Sequence, residues 1–282
     1  MRLQEPDVQR AAWASPALPA THWPDELAGY LRKTYTIAEL EARKLRHDPT
    51  ELITRAIQPA LWLLVFGQVL NQIRLIPTGN YSYIDFMTPG ILAQSVLFVS
   101  IFYGIAVIWE RDLGILQKFL ASPTPRTAIV SGKGLSAGVR GLSQAAIIYI
   151  LAILLHVQLN WNPLAILGVV VVVLLGAALF ATFSLIIACL VKTRERFMGI
   201  GQVLTMPLFF ASNAIYPIAV MPAWLQALAL VNPLTYEVDA LRSLMLVGWP
   251  SAFGLPMDFA VLGVTVTALV IVAGRLYPTV VT

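Results

Sequence analysis

Between Leu164 and Val191 the chain runs for 28 residues without a single charged side chain. About 20 apolar residues suffice for a helix to cross the hydrocarbon layer of a bilayer, so this run spans it with room to tilt. The rest of the sequence agrees. Of 282 residues, 58% are hydrophobic and only 12% charged, about half the charge content of an ordinary soluble domain. Length alone suggests two soluble domains. Apolar runs of this kind instead predict one polytopic, all-α membrane domain over residues 51–282, preceded by a tail and an interfacial helix over residues 1–50.

Six spans are expected. The first covers Leu52–Leu70 and is bent at Pro59, which cannot donate to the carbonyl of Arg55. The second covers Phe86–Trp109, with Trp109 as an interface anchor, and the third Gly141–Val157. Asn160, Trp161, Asn162 and Pro163 form a tight turn before the fourth span, Leu164–Val191. The fifth, Phe197–Ile218, is interrupted by Pro207 and Pro217, and the sixth covers Phe259–Leu276. Met221–Val247 is apolar enough for a further crossing, but Glu237, Asp239 and Arg242 lie well inside it. Each charge costs about 2.5–3.5 kcal/mol at the centre of a spanning helix, so two short helices dipping back into the outer leaflet are expected instead. Asp239 and Arg242, three residues apart, can pair there on one helical face.

Charge fixes the orientation. With both ends in the cytosol, all but Arg74 and Arg242 of the 19 lysines and arginines fall on the cytosolic side, as the positive-inside rule requires. Before the first span, Met1–Trp23 reads as an extended tail and not a cleavable signal peptide. Pro24, Asp25 and Glu26 then start a helix. Over Leu27–Arg46, Leu27, Leu31, Tyr35, Ala38, Ala42 and Leu45 face away from Arg32, Lys33, Arg43 and Lys44, the pattern of an amphipathic helix lying in the headgroups.

Several function classes are disfavoured. The basic residues, which set a pI near 9.3, sit in short loops and form no nucleic-acid patch. Cys189 is alone, and His22, His47 and His156 lack metal-ligand spacing, so neither a disulfide framework nor a metal site is expected. Thr127–Gly134 ends in Gly-Lys-Gly but has Thr127 in place of the leading glycine of a phosphate loop and Gly134 in place of the magnesium-binding hydroxyl. Leu135-Ser136-Ala137-Gly138 has no such loop upstream. Gly132, Ser136, Ala137, Gly138 and Gly141 are better explained as small residues that let membrane helices approach closely. No catalytic set and no cofactor site is expected on this chain.

The densely charged stretch between the second and third spans, Glu110–Lys133, stands apart. Leu113, Leu116, Phe119 and Leu120 recur at helical spacing, opposite Glu110, Arg111, Asp112, Gln117 and Lys118, until Ser122 and Pro123 stop the pattern. Pattern alone leaves two readings equally open: a solvated or headgroup-bound loop helix, or one that docks on a partner.

A resemblance favours docking. Glu-Arg-x-x-Gly-x-Leu-x-x-x-Leu-x-Ser-Pro followed by Gly-Lys, carried by Glu110, Arg111, Gly114, Leu116, Leu120, Ser122, Pro123, Gly132 and Lys133, resembles the coupling-helix region of ABC-2-type exporter permeases. Asp112 stands where Glu is usual, and Lys118 falls in a stretch that is often acidic. A second cluster, Asn232-Pro233-Leu234-Thr235-Tyr236 with Asp239 and Arg242, is similar to the re-entrant helices between the fifth and sixth spans of that family.

The resemblance, nearest to the daunorubicin-resistance and nodulation-factor export branch, implies a prokaryotic inner-membrane exporter subunit. In it Glu110, Arg111, Asp112, Leu113, Gly114, Leu116, Phe119, Leu120, Ser122 and Pro123 engage a cytosolic ABC ATPase that holds ATP and magnesium. Two ATPase copies and a second permease chain, identical or related, complete the assembly. The cargo it implies is hydrophobic or amphipathic, with Phe98, Phe102, Phe209, Phe210, Asn213 and Tyr216 as candidates for a path between spans one, two and five. Asn232, Pro233, Tyr236, Asp239 and Arg242 then lie near its outer mouth. Export of a lipid-linked polysaccharide or teichoic acid is the alternative within transport. A membrane-embedded lipid-modifying enzyme is the alternative outside it, disfavoured by the lack of acid, His or Ser constellations.

Overall fold

The computed structural model describes residues 57–73, 81–113, 126–191 and 193–276, with isolated positions 29, 32, 36, 39, 54, 76, 78 and 79. The tail before Trp23 and most of the expected interfacial helix lie outside the described residues, although Gly29, Arg32, Thr36 and Glu39 are helical.

Among the described residues the long elements are all helices. Helix α1 (57–73) is helical throughout but widens to a π-helix over Trp62–Gly67. The widening begins three residues after Pro59, which withholds a backbone donor from the α ladder. Helix α2 (Tyr83–Asp112) starts on a capping box in which the Ser82 side chain accepts from the Asp85 backbone and Asp85 reaches back to Ser82. Helix α3 (Arg126–Leu154) leads through a turn to α4 (Pro163–Leu190), capped by Asn162 with Pro163 at its first position.

Thr193 caps α5 (Arg194–Phe210). This helix stops eight residues before the expected end of the fifth span, and its 17 residues reach roughly 25 Å. Pro207 weakens its last turns, and the Asn232 side chain takes the carbonyls of Leu208 and Ala211 at 2.7 and 2.9 Å, so the chain can turn away with its end satisfied. A 3-10 turn (Ile218–Val220) then precedes two short helices, α6 (Ala223–Val231) and α7 (Pro233–Met245), and the chain continues into α8 (Leu255–Leu276).

Helix α4 is the hub, packing on α2, α3, α7 and α8. Close approach depends on the small residues. Gly138 and Gly141 of α3 face Leu174, Val173 and Ala177 of α4, and a Cβ at Gly138 would lie 2.6 Å from the Leu174 side chain. A Cβ at Gly90 would stand 2.3 Å from the Ala214 carbonyl oxygen, so α2 presses directly on the backbone that follows α5.

Among the described residues, four helices are long and apolar enough to cross a membrane: α2, α3 from Ile129, α4 and α8. Leu164, Leu167, Val203, Val264 and Ile271 are among the large apolar side chains left exposed, the arrangement a hydrocarbon solvent favours.

Candidate functional site

The segment 114–125 lies outside the described residues, and with it Gly114, Leu116, Phe119, Leu120, Ser122 and Pro123. Both of its roots are described. At the end of α2, Glu110 accepts from Lys133 of α3, with side-chain exposures of only 13% and 5%. Tyr103, two turns back along α2 on the same face, lies beside this clamp: its ring is 6.0 Å from the Lys133 ammonium and 5.0 Å from the Arg140 guanidinium. Ser136 Oγ sits 2.8 Å from both the Tyr103 hydroxyl and the Lys133 carbonyl. A serine hydroxyl donates once, so it gives to the carbonyl and accepts from the tyrosine.

A second tie runs to the start of α5. Asp112 accepts from Arg194 at 2.8 Å and from Arg111 at 3.3 Å, and the Arg194 guanidinium lies 3.9 Å from the ring centroid of Trp109. Arg111 also reaches the carbonyl of Val191 at 3.5 Å. Asp112 and Arg194 are 40% and 36% exposed, so their pair is worth about 0–1 kcal/mol. It orients more than it stabilises. Leu113, 67% exposed, then leads into the loop.

Half-way along α2, with roughly 15 Å of helix on either side, a cavity of about 240 Å³ opens between α1, α2 and α3. Phe98 and Phe102 line it, ring centroids 6.3 Å apart, together with Gln58, Gln94, Ser95 and Gln144. The third wall belongs to α3, where the sequence pointed to the fifth span. Gln144 is 1% exposed, and neither its amide nitrogen nor its oxygen has a hydrogen-bond partner; each such orphan costs about 1–3 kcal/mol.

The other path candidates separate. Phe209 is wholly buried, edge-on to Trp62 at 5.9 Å and beside Phe210 at 5.3 Å, while Phe210 is exposed. The Tyr216 hydroxyl donates to the Phe210 carbonyl. Asn213 lines a different pocket of about 480 Å³ at the Tyr83 end of α2, with Tyr81, Phe86, Asp239, Arg242 and Trp249.

Asp239 and Arg242 do not pair as expected. Arg242 donates to the carbonyls of Phe86 and Asn213 at 3.2 and 2.9 Å and stacks on Phe86 at 3.9 Å. Asp239 accepts from Ser251, Ala252 and Phe253 at 2.8–3.1 Å. Nearby backbone groups offer each charge fixed dipoles at short range, so each ties α7 to a different part of the fold. The Asn-Pro pair has its own local logic: Asn232 caps α7 at Leu234 while stapling it to α5, and Pro233 sits where no backbone donor is needed. Tyr236 donates to Leu230 at 2.8 Å and packs on Phe253.

The sequence reading passed over the glutamines. Gln58, Gln94 and Gln144 all lie in the expected spans, and Gln94 and Gln144 are buried; a polar side chain facing the inside of a membrane bundle is a marker of function.

Three long apolar helices packed around a fourth, α4, together with the exposed apolar surface, define a multi-pass membrane protein. The family model described as ABC-2 type transporter matches residues 32–246, and the chain belongs to that family. It is 29% identical over 217 residues to a putative transport permease, ycf38, of Cyanophora paradoxa, covering 76% of this chain and 74% of that one. It is 24% identical over 200 residues to the daunorubicin resistance ABC transporter permease protein DrrB1 of Streptomyces coeruleorubidus, covering 71% and 70%. A probable multidrug ABC transporter permease, YbhR, of Escherichia coli is 30% identical over 169 residues, 59% of this chain but only 45% of that protein.

Proposed function

We propose that the chain is the membrane subunit of an ATP-driven exporter of hydrophobic or amphipathic compounds, driven through the 114–125 segment by a separate cytosolic ABC ATPase. Six crossings with both ends in the cytosol of a prokaryotic inner membrane, two ATPase copies and a second permease chain complete the proposal. α1 and α5 join the four long helices as crossings, and α6 and α7 dip from the outer face.

One observation carries the reading: the buried Lys133–Glu110 clamp joins α2 to α3 at the root of that segment. A push on the segment therefore moves two spanning helices as one body, and the Asp112–Arg194 pair carries it to α5. The membrane family of the chain and the multidrug and daunorubicin names of its relatives support the same reading.

Co-expression with candidate ABC ATPase subunits from the same genome, followed by affinity purification and reconstitution, tests the proposal. The two chains should purify together, and Arg111→Ala or Gly114→Trp should abolish transport-coupled ATP hydrolysis while membrane insertion stays intact. Unchanged coupling in both variants refutes the lever.

A further inference from the structure

We propose that the cavity between α1, α2 and α3 receives an uncharged, hydroxyl- or amide-bearing headgroup, and that the apolar groove beside it receives the tail of the same amphiphile. The inference rests on the export reading and names the chemical class of its cargo.

The orphaned Gln144 amide comes first. It is buried, lines the cavity and lacks a partner for both its donor and its acceptor. An amide in that state is completed by a group that itself donates and accepts, such as a hydroxyl or another amide. The rest of the lining agrees in kind. Thr54, Gln58, Gln94 and Ser95 are neutral polar side chains, and none of the described lining residues is ionisable. Among these described residues a charged headgroup would meet no counter-charge to offset its desolvation.

Size and continuity supply the rest. About 240 Å³ falls below the roughly 300–1,000 Å³ of pockets that enclose a whole drug-sized ligand, so the cavity holds a fragment. Thr54 and Gln58 also border a second, open depression of about 580 Å³ walled by Ile57, Leu61, Trp62, Val65 and Phe66 of α1. A polar chamber thus opens directly onto an apolar trough. A molecule with a neutral polar head and a hydrocarbon tail fits both at once, with Phe98 and Phe102 flanking the head.

The test uses the full-length permease in nanodiscs and three probes that share a dodecyl chain: dodecyl glucoside, dodecyltrimethylammonium and dodecyl sulfate. Saturable binding is expected for the glucoside, at least tenfold tighter than for either ion. Gln144→Leu should weaken glucoside binding about tenfold, the loss of roughly two neutral hydrogen bonds. Thermal stability should hold or rise, because an unpaired buried amide is removed. Phe98→Ala should weaken all three probes by a similar factor.

Equal binding of the three probes, or glucoside binding unaffected by Gln144→Leu, overturns the proposal. Adding the ATPase and ATP separates cargo from resident lipid: cargo is released from the cavity, and retention overturns the assignment as cargo. The binding arms need no ATPase, so a failed ATPase partnership and a failed headgroup assignment are told apart.

Discussion

Removing the Lys133 ammonium probes the clamp most directly. At contact, opposite charges interact by roughly 4 kcal/mol at an effective dielectric near 20, against about 1 kcal/mol in water. The Lys133 and Glu110 side chains, 5% and 13% exposed, belong near the first limit. Lys133→Met therefore leaves Glu110 as an unpaired, largely buried carboxylate, expected to cost about 3–5 kcal/mol. Glu110→Gln together with Lys133→Met removes the stranded charge, and replacing both members of a buried pair is often close to neutral. Denaturant or thermal unfolding of the four proteins in the cycle should give a coupling of at least about 2 kcal/mol. Coupling to ATP hydrolysis should fall in the double variant even where stability returns, because the ionic tie between α2 and α3 at the root of the segment is then gone. Stabilities that add with no coupling would refute the clamp as an energetic unit.

Two further outcomes follow from the far end of the bundle. A Cβ at Gly176 would lie 2.2 Å from the Glu237 carboxylate oxygen, so Gly176→Ala should destabilise the protein by about 1–3 kcal/mol, with recovery in the double variant Gly176→Ala/Glu237→Ala; unfolding transitions measure both. Arg242→Lys keeps the charge but loses the planar fork that reaches two carbonyls and stacks on Phe86; the melting temperature should fall by the equivalent of about 1.5–3 kcal/mol.

The apolar spans were legible because hydrophobic length is a one-dimensional property: the Leu164–Val191 run and helix α4 nearly coincide. The break at Met221–Val247 was legible for a related reason, since Pro222, Asn232 and Pro233 punctuate the backbone and three charges forbid a plain crossing. Partnerships were less so. Helical spacing placed Asp239 and Arg242 on one face, but each found a closer backbone partner on a segment distant in sequence. The same holds for the path. Spacing says that Phe209 and Phe210 are neighbours; only packing puts the first in the core and the second at the surface. Gln144 could have been singled out by its chemistry alone, as an amide in an apolar helix, although its lack of partners is a fact of three dimensions.

The widened turn at Trp62–Gly67 gives α1 a property its neighbours lack. An α-helix that takes in or gives up one residue rotates everything beyond that point by about 100° and shifts it by about 1.5 Å. The π turn stores such a residue in the middle of α1. The half bearing Ile57, Gln58 and Leu61 can therefore swivel against the half bearing Val69 and Ile73 by exchanging a few backbone bonds, without fraying either end. Because Gln58 borders both depressions, such a swivel would carry one wall of the head chamber and one wall of the tail trough round together.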